Sequence, residues 1–329
     1  MKRIASLSIL CTVSSLCLVV ACSMDSPSET ARSTVARGTW SAKAPLPIKI
    51  SESAVAAAGG KIYVLGGTTA DVVDHRLNYE YDPATDRWRA RAPLPRGLTH
   101  AGATGLNGKI YVVGAFTASG HGNAVDSVFE YDPAADAWRA LAPLKNARGS
   151  VGVTVLNGKI HAVGGRGVDK STVATHEVFD PANGKWTDLA PLPKARDHLA
   201  VVAANGRVHA IGGRLVDPSQ NVDLHDIYDP KTNSWATGAP LPTARSGVAG
   251  ALYQDRIFVA GGECRDKQTY PEFEGYDVKT GRWAPFASMP AGRHGFGAAA
   301  VGPFVYFAGG ALGCGGNGRS DELLVFSLP

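Results

Sequence analysis

Residues 61–67, KIYVLGG, are written six times in this chain: near-copies follow at 109–115 (KIYVVGA), 159–165 (KIHAVGG), 207–213 (RVHAIGG), 256–262 (RIFVAGG) and 304–310 (FVYFAGG). The six tryptophans, at 40, 88, 138, 186, 235 and 283, are spaced by 48, 50, 48, 49 and 48 residues. A period near 50 is the length of one propeller blade. Every Trp lies 26 residues before the first Gly of the next copy, and an aromatic (Tyr81, Tyr131, Phe179, Tyr228, Tyr276) lies seven before the next Trp. From that Gly to that aromatic the count varies, 15 to 17, so the length differences sit after the glycines.

Each unit reads as four short strands. Strand a is a run of small apolar residues such as AGATGL or VGVTVL. The turn after it, NGK at 107 and 157 and NGR at 205, has the Asn-Gly pair that supplies the positive φ angles of a type I′ hairpin. Strand b is the quoted motif, strand c ends in YDP or FDP, and strand d surrounds the Trp and stops at APLP, where proline ends the pairing. The last unit ends at LLVFSLP with a strand c and no Trp strand, while GTWSAKAPLP near the start is a Trp strand with no unit before it. Pairing the two closes a ring and removes its open edges. The expected fold is all-β, a six-bladed propeller over residues 39–329 closed by an N-terminal strand.

The Gly pair, the aromatic and the Trp at these spacings resemble kelch repeats from Trp40 to Pro329, with Ala115, Phe179, Phe326 and YDV at 276 as departures. The resemblance implies a rigid six-bladed scaffold with function on its loops. The repeats also resemble those of two kelch enzymes: galactose oxidase, a copper enzyme on a seven-bladed propeller with extra domains, and a periplasmic sialic-acid mutarotase with six blades. No recognisable equivalent of the copper site stands in this sequence.

The N-terminus sets the compartment. MKRIASLSILCTVSSLCLVVAC has a basic start and a short apolar run, the pattern of an export signal over residues 1–21. Val19-Val20-Ala21-Cys22 resembles a bacterial lipobox, which would make Cys22 an acylated N-terminus and residues 22–38 a flexible tether. The expectation is an exported, lipid-anchored protein of the bacterial envelope, in the outer membrane where there are two, touching membrane through its anchor only. The formal charge is +4, and removing residues 1–21 takes two cations and no acid, leaving +2. With no basic run or nucleic-acid motif, that excludes a nucleic-acid partner.

In an up-and-down blade the b–c loops and the d-to-a connections share one face, a common place for function on a rigid scaffold. Ten residues after each Trp stand Ile50, Leu98, Arg148, Arg196, Arg245 and Arg293, so four consecutive blades carry Arg. As a set the four suit carboxylate or phosphate ligands by bidentate hydrogen bonds; the competing role is that each ties down a neighbouring carbonyl or carboxylate. His100 and His198 lie twelve after their Trp and His294 eleven, and the b–c loops add Arg166, Arg214 and Glu263. Glu263 with His294 is the candidate acid–base pair.

His161 and His209 replace Tyr63 in strand b and read as core residues; the histidines have no metal-ligand spacing, so neither metal nor cofactor is expected. Cys264 and Cys314 follow Gly pairs in adjacent blades, where a disulfide is feasible and a reactive thiol or metal ligand is the rival. Two functions compete. One is a monomeric, non-catalytic module that binds an acidic protein, peptide or anionic glycan through the b–c and d–a face. The other is a carbohydrate-active enzyme such as an acidic-sugar mutarotase or epimerase, and less so a copper oxidase.

Overall fold

The computed structural model describes residues 38–70, 75–118, 121–264 and 267–329; the expected signal, the tether and Cys22 lie outside them. Blades 1 to 5 are each a four-stranded antiparallel meander. Their strands a, b, c and d are Ala54–Ala58, Lys61–Leu65, Asn78–Asp82 and Arg87–Ala90 in blade 1, and Gly102–Leu106, Lys109–Ala118, Gly122–Asp132 and Ala137–Ala140 in blade 2. Blade 3 has Gly152–Leu156, Lys159–Val163, His176–Asp180 and Lys185–Asp188, and blade 4 has Ala200–Ala204, Arg207–Ile211, His225–Asp229 and Ser234–Thr237. Blade 5 has Ala249–Tyr253, Arg256–Ala260, Phe273–Asp277 and Arg282–Pro285. Blade 6 takes Gly297–Val301, Phe304–Ala308 and Leu323–Ser327 from the C-terminal end and its strand d, Thr39–Lys43, from the start, with Trp40 opposite Phe326.

The Asn-Gly turns carry the expected angles, Asn107, Asn157 and Asn205 having φ of 51°, 52° and 48°. Strand a is small because six of them crowd the axis: a Cβ on Gly105 would come 1.9 Å from the Ala57 carbonyl oxygen of the neighbouring blade. Apolar clusters fill each blade-to-blade space; Ile110, Val112 and Tyr131 of blade 2, for instance, pack on Ala54, Ala56 and Tyr63 of blade 1. Each Trp adds a fixed bond across that seam. Its indole N–H donates to an alanine carbonyl in the connection leaving the preceding blade: Trp88 to Ala44, Trp138 to Ala92, Trp186 to Ala142, Trp235 to Ala190, Trp283 to Ala239 and, closing the ring, Trp40 to Ala287, all at 2.7–2.9 Å.

The Arg arc does not face a ligand. Arg148, Arg196, Arg245 and Arg293 are 0% exposed, each folded into the blade that follows it. Arg196 donates from Nε to the Gly212 carbonyl at 3.0 Å, from Nη2 to the Ala210 carbonyl at 3.0 Å, and pairs through Nη1 with Asp226 at 2.8 Å. Arg148 does the same with Gly164, Ala162 and Glu177, and Arg245 with Gly261, Val259 and Glu274. Arg293 bonds Gly309 and Glu322. The reason is geometric: strand b ends just before the Gly pair, and the buried carbonyl of the first Gly, beyond the paired residues, needs a donor. The arc is therefore a set of structural braces, and the expectation of an anion-binding arc is corrected.

The second polar device is a pair of buried imidazoles in blades 3 and 4. His161 Nδ1 lies 2.9 Å from His176 Nε2, and His209 Nδ1 lies 2.9 Å from His225 Nε2; the outer rings bond onward to the carbonyls of Ala190 and Ala239. In blade 5 the same positions are Phe258 and Phe273, stacked at 5.0 Å. Burial drives the histidines down, to about 4 for His161 and His225 and about 3 for His176 and His209.

Two outcomes follow from these braces. Arg196→Met leaves Asp226 buried without its cation and should cost about 3–5 kcal/mol in chemical denaturation. In the unfolded chain the four imidazoles titrate near 6.5, so below that pH the unfolded state takes up protons the fold refuses. Stability should therefore fall as pH drops from about 6.5 toward the folded values, and His161→Phe with His176→Phe, copying blade 5, should flatten that slope in melting curves taken between pH 7 and pH 4.

Candidate functional site

The residue twelve after each Trp lies at the mouth of the central channel: Glu52, His100, Ser150, His198, Gly247 and Gly295. Their backbones form a closed ring of hydrogen bonds around the axis. The N–H of His100 donates to Glu52, Ser150 to His100, His198 to Ser150, Gly247 to His198, Gly295 to Gly247 and Glu52 to Gly295, at 2.6–3.4 Å. All six sit in the left-handed region, with φ between 50° and 65°. Glycine takes that conformation freely and other residues at a cost of roughly 1–2 kcal/mol. Blades 5 and 6 use glycine; the other four positions carry Glu, His, Ser and His. Non-glycine residues held there mark a site where side-chain identity matters more than backbone ease.

Above the ring, on the b–c and d–a face, lies a cavity of about 300 Å³ lined by Glu52, Thr68, His100, His121, His198, Arg214, Glu263 and Arg319, among others. Blade 2 builds one wall. After Val113 its strand b passes through a bulge and runs on to Ala118 beside the extended strand c, carrying His121 to the axis. Its ring lies 4.7 Å from that of His100 and 5.0 Å from that of His198. Gly114-Ala115, the one departure from the Gly pair, is where this extension begins. Blades 5 and 6 build the opposite wall, where a disulfide joins Cys264 to Cys314 with their Cα atoms 5.5 Å apart. The loop after Cys314 supplies Gly315 and Gly316 to the lining.

The polar groups form one connected network. Asp197 accepts from His198 Nδ1 at 2.8 Å and from Arg214 Nε at 3.0 Å, and also from Arg166. Arg214 Nη1 pairs with Glu263 at 2.5 Å, while its Nη2 lies 3.1 Å from His198 Nε2 and 3.3 Å from His121 Nε2. Glu52 Oε2 lies 3.1 Å from His100 Nε2. Burial would raise Asp197, but His198, Arg214 and Arg166 hold it well below the usual carboxylate range. Burial likewise works against ionisation of Glu52, yet the surrounding histidines, His100 foremost, keep it at about 2. Burial brings His100 down to about 4, and burial with the neighbouring His198 brings His121 to about 2. At neutral pH Glu52 and Asp197 are thus ionised beside neutral His100 and His121.

Of the residues singled out in the sequence, His100, His198, Arg214 and Glu263 line the cavity, and Arg166 supports it through Asp197. Glu263 and His294 are not an acid–base pair. Glu263 is held by Arg214, whereas His294 is 2% exposed, with its Nε2 against the Gly313 carbonyl at 3.1 Å. Glu52, His121, Asp197 and Arg319 also belong to the site, beyond the residues singled out in the sequence. Glu52 and Asp197 share the twelve- and eleven-residue registers of His100 and His294, and that signal was in the sequence; His121 had only the bulge as a clue.

The model of the Kelch motif matches residues 50–95, 97–145 and 147–193, which are blades 1 to 3. The solved structure of YjhT is similar in fold, with a TM-score of 0.72 at 18% identity over 86% of this chain and 99% of that one. No curated protein matches the sequence.

The ring makes a direct test possible at Ser150, whose hydroxyl lies 3.3 Å from His198 Nε2. Ser150→Gly should raise stability by up to about 1 kcal/mol, as the relief of left-handed strain exceeds the added freedom of the unfolded chain. Chemical denaturation of the variant against the parent measures it.

Proposed function

Because the chain is a kelch-repeat β-propeller with a polar cavity at its channel mouth, we propose that it binds a small anionic ligand there, of the class of acidic monosaccharides. The carrying observation is Arg319. It lines the cavity, its bond is a 3.4 Å contact to the Thr68 hydroxyl, and among the described residues no carboxylate pairs with it. The other guanidiniums of the site are committed to Asp197 and Glu263. A cation left to face a cavity is matched by an anionic group on the ligand. About 300 Å³ is at the small end of ligand sites, and a lining of carboxylates, imidazoles, a hydroxyl and guanidiniums suits a polyhydroxylated molecule better than an apolar one. The buried braces leave no arc of arginines for docking a large acidic partner. Export with a lipid anchor at Cys22 fits this reading, since the Cys264–Cys314 disulfide is at home in an oxidising compartment.

One observation favours chemistry as a second reading. Glu52, ionised, and His100, neutral, stand 3.1 Å apart in the cavity. A base and a proton carrier so placed can exchange protons with the anomeric hydroxyl and ring oxygen of a sugar.

Titration of a panel of hexuronates and sialic acids against their neutral counterparts, followed by NMR, addresses both. An acidic sugar should bind, its neutral counterpart should not, and Arg319→Ala should weaken binding at least tenfold with an unchanged melting temperature. Equal binding of neutral and acidic sugars, or none lost in the variant, refutes the ligand class. Faster interconversion of anomers that disappears in Glu52→Gln, with binding retained, would add catalysis.

A further inference from the structure

Three histidines far apart in the sequence meet at the cavity floor. One ring nitrogen from each of His100, His121 and His198 lies within 4.8 Å of the others. The Nε2 atoms of His121 and His198 are 3.3 Å apart. Nitrogens bound tetrahedrally at about 2.0–2.1 Å from one ion are separated by ~3.4 Å. The spacing of that pair is therefore the spacing of two ligands on one zinc-sized ion.

Orientation points the same way. Asp197 accepts the Nδ1 proton of His198 at 2.8 Å, which leaves the Nε2 lone pair facing the cluster. A carboxylate behind an imidazole is the usual outer partner of a metal-bound histidine, fixing its tautomer and raising its basicity. His100 has the Thr99 hydroxyl 3.2 Å from its Nδ1 and Glu52 3.1 Å from its Nε2, so an ion bound through Nε2 takes the place of the Glu52 contact. The three come from separate loops, two of them from strained ring positions, so the convergence is not a by-product of one regular strand.

We propose that His100, His121 and His198 form a three-histidine site for a divalent transition ion of the zinc class, with its remaining coordination open to the cavity. All-imidazole ligation favours zinc, cobalt, nickel or copper over magnesium or calcium, which take oxygen ligands. Two contacts would give way to an ion: that of Arg214, whose Nη2 lies against both His121 and His198, and that of Glu52 on His100 Nε2. Around the cavity and its support, Glu52, Asp197 and Glu263 face Arg166, Arg214 and Arg319, so charge is balanced before an ion enters. A divalent ion makes the site net positive and leaves its open position for an anionic ligand or water. The site stands independently of the sugar reading, because it is tested with the metal alone.

The test uses the purified full chain, stripped with chelator, and Co²⁺ followed by Zn²⁺ as probes. One equivalent of Co²⁺ should produce the visible absorption of a four- or five-coordinate nitrogen site, and Zn²⁺ should abolish it. His121→Ala, a loop change with little bearing on the fold, should weaken uptake at least tenfold at an unchanged melting temperature. Arg214→Gln should strengthen it, as the competing guanidinium is removed from between His121 and His198. Absence of the absorption at millimolar Co²⁺, or the same affinity in parent and His121→Ala, overturns the site. Sugar binding without metal uptake would leave the ligand reading standing alone.

Discussion

The closed belt of six backbone hydrogen bonds through Glu52, His100, Ser150, His198, Gly247 and Gly295 is the constraint on which the site depends. A ring around an axis can close only if every unit turns by the same amount at the same point, and the left-handed residue in each connection makes that turn. Once closed, the belt fixes where strand a of each blade begins. It also gathers the side chains of its members at one neck, so that residues about 50 positions apart in sequence become neighbours. Any chemistry at the axis is then a matter of which side chains the belt tolerates.

Around the belt the blades solve one problem in different ways. Blades 3 to 6 cap the carbonyls at the end of strand b with a buried Arg and hold its charge with an acid on or beside strand c. Blades 1 and 2 have Ile50 and Leu98 at the Arg position. There Glu80 and Glu130 pair instead with Arg89 and Arg139 across strands c and d. The His161–His176 and His209–His225 pairs fill the space that stacked phenylalanines fill in blade 5. Each solution pairs its charges within its blade, as buried charges require, and so these residues are committed to the scaffold.

This explains what could be read from the sequence and what could not. The Trp and Gly frame is length-invariant because backbone closure demands it, and it revealed the ring, the face and the positions of His100 and His198. The arginines misled because a charged residue in a loop connection looks exposed. The corrective signal was present: Glu177, Asp226 and Glu274 stand two residues before their aromatic in three of the four blades that carry Arg, the fourth using Glu322, where the two blades without it have Tyr79 and Phe129. That covariation marks buried pairs. His121 was beyond such reasoning, since its place depends on how far a bulged hairpin reaches across the axis, and spacing in a variable loop does not encode reach.

The asymmetry of the ring finally accounts for the shape of the cavity. Where Gly247 and Gly295 have no side chains, their neighbours move in: a Cβ on Gly295 would strike the Glu52 carboxylate at 2.4 Å, and one on Gly247 would crowd His294 and Glu263 at 3.2–3.3 Å. The two glycines thus let Glu52 lean across the axis and let the blade 5 loop bring Glu263 to Arg214. The disulfide then holds that loop to its neighbour in blade 6. Four polar positions on one arc of the ring and two empty ones on the other turn a symmetric neck into a one-sided pocket of about 300 Å³, lined by His100, His121, His198 and Arg319. A symmetric ring could offer a ligand only what every blade repeats; this one can orient it.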